Sequence, residues 1–476
     1  MAATSRRNSR VSRTLIKNAD WMVTVDARRR ILTDGAIAIE DDLIAFVGKT
    51  AAVPAGFIPD KVIDASGMLV LPGFIDTHVH NTQHLGRGLG DGCDMPVLLL
   101  ERLYAYESVM SAEDAYWAAK LCQLELIKGG TTCFLDPSSY YPGETTRAVG
   151  ETGMRGIISR TAFDVQNTRI GKLPRQALFR ESTAEALERA EQAVIEHQGA
   201  HGGRVRAWFS IRIPAGCSDE LCRGIRRLAD KHGVGIVTHC CESQDQSVAS
   251  RLSSGYTDVE RLGRLGVLGP DMVMIQMGWA SAEEIALAQK HRFKVSYTPS
   301  TSYRLALGDA SFGRFPEMAA LGITVALGGN AAMSSNFMDM VRVMNLGAGM
   351  LRSSRLNAHL FPPEKMIEMA TMNGAIAVGM HESIGSLEVG KKADIALFDT
   401  RRSDWRPLLN PVSCLVHSSR GGADTVLVDG RVLMAGGKVL SIDEKRTLAE
   451  CQARGIAIAA RSGLDKISAS AWPVCC

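Results

Sequence analysis

Three things are scarce in this chain of 476 residues. It has little charge imbalance, +3 net over its whole length, so composition gives no case for a nucleic-acid partner. It has no apolar run approaching eighteen residues, so no membrane span is expected. It has no C-x-x-C motif: the eleven cysteines are an odd set with two vicinal pairs, Cys240-Cys241 and Cys475-Cys476. That pattern is neither a disulfide framework nor a zinc knuckle, and it is read as reduced cysteines of a cytoplasmic protein. The one basic cluster, "SRRNSRVSR", precedes an amphipathic strand rather than an apolar stretch, so it is read as a frayed terminus, not a signal peptide or twin-arginine leader.

What is present is hydrophobic patterning, with 46% apolar and 22% charged residues, as in a soluble globular protein. "TLIKNADWMVTV", "ILTDGAIAIED" and "LIAFVGK" alternate apolar and polar positions between Asp/Gly turns, and "GSLEVGKKADIALFD" and "ADTVLVDGRVL" repeat the pattern near the other end. The expectation is one small β-sandwich domain built from both termini, residues 12–70 with 384–445. Between them, residues 71–383, eight apolar runs alternate with amphipathic stretches: Leu71–His80, Thr131–Pro137, Arg155–Asp164, Arg204–Ile213, Gly235–Glu242, Met272–Ala280, Phe293–Pro299 and Ile323–Asn330. Eight strand-helix units argue for an α/β fold, a closed (β/α)8 TIM barrel. Residues 446–476 read as an outer amphipathic helix and a tail.

In such a barrel the chemistry sits at the C-terminal ends of the strands. The first strand ends in "THVH", where the spacing of two places His78 and His80 on one face. The fifth ends in "VTHCCE", with His239 and Glu242; the second and third end in Asp136 and Asp164; the sixth carries Gln276, the seventh Tyr297 and the eighth Asn330. A lone His-x-His is usually a turn or surface pair, and a lone histidine or glutamate usually a core or loop residue. Three histidines from two strand ends form a set of neutral nitrogen ligands with room for water, which suits one divalent metal ion. His84 and Arg87, in the loop after the first strand, are read as substrate contacts or plain loop residues. Met272, Met274, Met277, Trp279 and Met333 are read as core that would also suit an apolar substrate.

On these residues the chain resembles the amidohydrolase superfamily, and within it the branch of cytosine and guanine deaminases, adenosylhomocysteine deaminases and triazine hydrolases. "VIDASGMLVLPGFIDTHVH", "ELIKGGTTCFLD" and "GSLEVGKKADIALFD" carry the likeness. The resemblance implies metal ligation by His78, His80 and His239, and a proton-passing role for Glu242. Where the branch has histidine on the sixth and seventh strands and aspartate on the eighth, this chain has Gln276 in "IQMGWASAEEI", Tyr297 in "SYTPSTS" and Asn330 in "LGGNAA". Asparagine has no basic lone pair near neutrality, and loss of a general base costs roughly 10²–10⁴-fold. Three neutral ligands, in turn, make a metal-bound water more acidic, as in the handful of three-histidine zinc enzymes.

The departures resemble phenylurea and thiocarbamate hydrolases. The expected activity is therefore metal-hydroxide cleavage of an amide, urea or carbamate-like C–N bond in a small, largely apolar molecule. Asn330 stands at the metal and, with Gln276, hydrogen-bonds water and carbonyl oxygen; His84, Arg87, Tyr297 and Trp279 bind substrate. The alternatives are an aminohydrolase or dechlorinase of an N-heterocycle, and a non-catalytic scaffold. Zinc is the first candidate metal, with iron, cobalt and manganese also open. A small-molecule substrate and a homo-oligomeric state are expected, the latter from the family's habit.

Overall fold

A computed structural model describes residues 11–165, 167–168, 171–172 and 181–466. Most of the basic cluster at the N-terminus, the tail from 467 and the Cys475-Cys476 pair lie outside the described residues.

Eight parallel strands form the barrel: Phe74–Asp76, Thr131–Ser139, Arg155–Arg160, Val205–Ile211, Ile236–Cys240, Met272–Gln276, Lys294–Tyr297 and Val325–Leu327. They pair in chain order. The eighth returns to the first through Thr77 N–H to the Leu327 carbonyl (3.0 Å), Asn330 N–H to the His78 carbonyl (2.6 Å) and His80 N–H to the Asn330 carbonyl (2.8 Å). Strands such as "MVMIQ" and "VAL" are wholly buried, because each faces side chains in the barrel on one side and helices on the other. Several of those helices start at reciprocal caps readable in the sequence, Ser111 with Asp114 and Ser281 with Glu284.

Leu71 and Pro72, expected at the head of the first barrel strand, instead end a separate strand, Met68–Pro72, that pairs with Ile395–Asp399 in the terminal domain. Gly73 is the break: a Cβ there would stand 2.2 Å from Thr132. The terminal domain consists of a four-stranded and a seven-stranded sheet. Ile16, Ile37 and Ile39 of one and Met22, Val70 and Ile395 of the other share a core, the mark of a sandwich. The outer helix spans Glu444–Ser462 and starts at Asp443, whose side chain caps it. Among the described residues no helix is long and apolar enough to cross a membrane.

Candidate metal centre

The histidine pair is placed by glycines on the opposite strand. A Cβ on Gly328 would lie 2.5 Å from the Cβ of His78, and one on Gly329 would lie 2.7 Å from Asp76 Oδ2. "LGGN" is therefore what lets the first strand close against the eighth. His78, His80 and His239 are all buried, and their ligand nitrogens lie within 4.8 Å of one another. His78 Nε2 is 3.1 Å from His80 Nε2 and 3.1 Å from His239 Nε2. His239 Nδ1–H donates to the Arg212 carbonyl (2.9 Å), a bond that fixes the tautomer and leaves the Nε2 lone pair facing its neighbours. His80 Nδ1 is 3.4 Å from Ser138 Oγ, and His78 Nδ1 is buried with no partner.

Burial is the main reason these imidazoles stay neutral. It holds His78 and His80 well below the usual histidine range, with the neighbouring histidines adding to it, and lowers His239 to about 4. The three Nε2 atoms converge at 3.1 Å, a spacing at which three lone pairs can be satisfied together by one shared cation. That spacing is near the ~3.3 Å separating two nitrogens bound about 2.05 Å from one tetrahedral ion. The donor set thus fits a divalent metal.

Glu242 stands beside this centre, bordering the same pocket. Burial pushes its carboxyl up to about 7, against a hydrogen bond from Gln276 Nε2 (3.4 Å) that lowers it. Gln276 in turn accepts from the Thr298 hydroxyl, which orients the amide with its donor toward Glu242. Asn330 Nδ2 donates to Thr301 Oγ1 (2.8 Å), so its carbonyl oxygen is the end left for the pocket. Gln276, Met277 and Asn330 all have left-handed backbone, φ 77°, 60° and 71°. Such strain gathers at functional sites, and asparagine tolerates it better than most residues.

A cavity of about 50 Å³ is bounded by His80, His239, Glu242, Asn330 and Met333 and roofed by Leu98, Leu99 and Leu103. It opens beside a second chamber of about 210 Å³ under Met95, Leu99 and Leu100. The roof is one helix running Met95–Ser108 whose middle, Leu98–Leu103, is wound as a π-helix. Arg212, from the end of the fourth strand, lines the first chamber. Its Nη2 pairs with Glu107 (3.0 Å), and Tyr104, Tyr140 and Phe163 lie 5.6–5.8 Å from its guanidinium. Its Nη1 is buried without a partner.

Of the four expected substrate contacts, none borders either chamber. His84 turns outward to Glu125 (3.1 Å), and Arg87 bonds Glu125 and the Asn336 carbonyl, in a groove against the C-terminal helix. The short 3-10 helix after His80 rotates both away from the barrel mouth. Tyr297 faces the surrounding helices, stacked on Phe315 at 4.0 Å, because strand alternation that points Thr298 inward must point Tyr297 out. Trp279 donates Nε1–H to the Leu307 carbonyl (2.6 Å) and stacks on Phe312. Met272, Met274 and Met277 are core, and Met333 alone of that group reaches the cavity. Asp136 accepts from Asn81 and Ser138, and Asp164 bonds Ser218 and Thr183. Arg212, Glu107, Thr298 and Thr301 escaped sequence reading. Only Arg212 left a signal, a charged residue inside the apolar run "FSIRIP".

The family described as amidohydrolase matches residues 69–433. A 5-methylthioadenosine/S-adenosylhomocysteine deaminase of Moorella thermoacetica is 32% identical over 89% of this chain and 95% of its own length. A 5'-deoxyadenosine deaminase of Methanosarcina acetivorans is 31% identical over 94% of this chain and 99% of its own. Among solved structures, an atrazine chlorohydrolase from Arthrobacter aurescens TC1 with zinc superposes at a TM-score of 0.84, with 22% identity over 93% of this chain and 100% of that one. The chain belongs to the amidohydrolase family, with relatives named as deaminases, and is a metal-dependent hydrolase of carbon–nitrogen bonds. The non-catalytic scaffold is set aside on that ground.

Proposed function

We propose that the protein is an aminohydrolase of a small N-heterocyclic amine: water replaces an amino group on a ring carbon, and ammonia leaves. The observation that carries this reading is the position of Glu242, whose carboxyl borders the same pocket as the three converging imidazoles and is raised from its ordinary range by burial. A carboxyl that keeps its proton near neutrality can hand it to a leaving nitrogen. The relatives named as deaminases support the ring substrate.

His78, His80 and His239 would hold one divalent ion, zinc first among candidates, which supplies Lewis acidity toward water. The other steps belong to the chain. Glu242 delivers the proton to the departing nitrogen, with Gln276 holding the carboxyl in place. Thr298 keeps Gln276 in its donating orientation. Asn330, its amide nitrogen engaged by Thr301, offers a carbonyl oxygen to a proton of the attacking water. The leucine roof keeps bulk water out of the site.

A second reading, hydrolysis of a urea or carbamate-like carbonyl, is favoured by one observation: uncharged amides, Gln276 and Asn330, flank the site and can bind carbonyl oxygen. The product separates the two. Metal-replete protein is incubated with amino-heterocycles and with aryl ureas and carbamates. Ammonia from the first group is the expected result. Alkyl- or arylamine from the second, with no ammonia from the first, would overturn the proposal.

A further inference from the structure

Strand geometry alone would keep Glu242 out of the metal centre. His239 turns into the barrel with the other two histidines from the strand Ile236–Cys240, and Glu242 follows it three residues later. Side chains alternate faces along a strand, so an odd step would turn Glu242 outward, away from the histidines. It nevertheless borders the same pocket as His80 and His239.

The correction is made at the residue before it. Cys241 is buried and has left-handed backbone, φ 52°. Few residues other than glycine enter that region, and they stay there only where the surroundings fix them. Here the surroundings do. The Cys241 thiol donates to Glu284 Oε1 (3.2 Å) on the helix Ala282–His291, and the other oxygen of that carboxylate accepts from Ser281 N–H (2.8 Å). The Cys241 carbonyl accepts from Trp279 N–H (3.0 Å). The next amide, Glu242 N–H, donates to Gln246 Oε1 (2.8 Å). Gln246 Nε2 in turn donates to Asp258 (3.2 Å), which also accepts from the Ser250 hydroxyl (2.7 Å). Gln246, Ser250, Asp258 and Glu284 are all buried, so water does not compete for these bonds.

We infer that Cys241 is a positioning residue: its left-handed turn, braced by Glu284 and Gln246, aims the Glu242 carboxyl at the metal centre. The inference rests on the proposed role of Glu242 as proton donor. It makes activity depend on the backbone conformation at 241. Glycine adopts a left-handed conformation freely, whereas a β-branched residue there is a steric outlier. Valine would drive the segment back toward extended chain and carry Glu242 out of the pocket.

The test compares zinc-loaded wild type with Cys241→Val, Cys241→Gly and Glu242→Gln. Metal content is measured for each, with kcat and KM on the amino-heterocycle or aryl urea that wild type hydrolyses fastest. Cys241→Val should lose about 10²-fold in kcat, the typical cost of displacing a catalytic group by about 1 Å, with KM and metal content unchanged. Cys241→Gly should stay near wild type. In crystal structures of the two zinc-loaded variants, Glu242 should leave the pocket with valine and keep its place with glycine. If Cys241→Val does not fold, Gln246→Leu takes its place: it frees Glu242 N–H and should lower kcat with the metal retained. Wild-type kcat with Glu242 unmoved in either of these variants overturns the inference, as does an equal loss in Cys241→Val and Cys241→Gly. Wild-type kcat in Glu242→Gln overturns the proton-donor role itself, and this inference with it.

Discussion

Buried charge is handled in opposite ways by two clusters, one at each end of the barrel. At the N-terminal end of the third strand, Arg155 grips Asp394 through two bonds of 3.1 Å and Asp429 through one of 2.5 Å. Arg155 and Asp394 are buried there, and neither has a buried polar atom without a partner. This cluster ties the barrel to the terminal sandwich. At the C-terminal end the groups are as deeply buried but incompletely matched: His78 Nδ1, Arg212 Nη1 and Glu107 Oε2 lack partners. Unpaired buried groups are costly, and at the C-terminal ends of barrel strands a bound ligand can complete them. The contrast separates charge that holds the molecule together from charge that awaits a metal and a substrate, as barrel architecture would have it.

That contrast can be broken from either end. Glu242→Gln should cost about 10²–10⁴-fold in kcat, the typical worth of a positioned proton donor, without lowering Tm. A loss below 10-fold would remove Glu242 from its proposed role. Arg155→Met leaves Asp394 buried, and Asp429 half-buried, without their cation and should destabilise by about 3–5 kcal/mol, read as a lower urea midpoint. Its kcat per folded molecule should stay unchanged; a matched loss of activity would mean that the two ends are not separable.

The smallest effects concern pH. Gln276→Leu removes the hydrogen bond that lowers the Glu242 carboxyl, so the alkaline limb of kcat/KM should move upward from its wild-type position. A downward shift would contradict the assignment of Glu242 as the proton donor. Stability follows the same group. In the metal-free chain Glu242 keeps its proton to about 7 when folded, against the ordinary 4.5, so the folded chain binds more protons across that window. Its contribution to stability therefore falls as pH rises from about 4.5 to about 7 and is level above. Glu242→Gln should flatten that slope.

The sequence made the barrel and the metal centre legible for a simple reason. Short buried strands are continuous apolar runs, and a spacing of two forces His78 and His80 onto one face whatever surrounds them. Strand ends were less legible: Gly73 splits the first run, and the sixth strand stops at Gln276 where the backbone turns left-handed, although the apolar run continues. The placement of the loop residues was not legible, because their direction depends on turns that residue type does not report. His84 lies four residues beyond His80, yet a 3-10 helix carries it to Glu125. Tyr297 was placed by its sequence neighbours, but strand alternation gives its inward place to Thr298. Arg212 and Glu107 are 105 residues apart, and only the folded chain brings them together.

The central claim is that His78, His80 and His239 hold a catalytic metal. Its most direct test is the metal content of protein purified from metal-replete medium, measured beside His239→Ala with folding confirmed by circular dichroism. About one divalent ion per wild-type chain is expected, as in three-histidine sites, with loss of both the ion and hydrolysis in the variant. A folded His239→Ala protein that keeps its metal and its activity would contradict it.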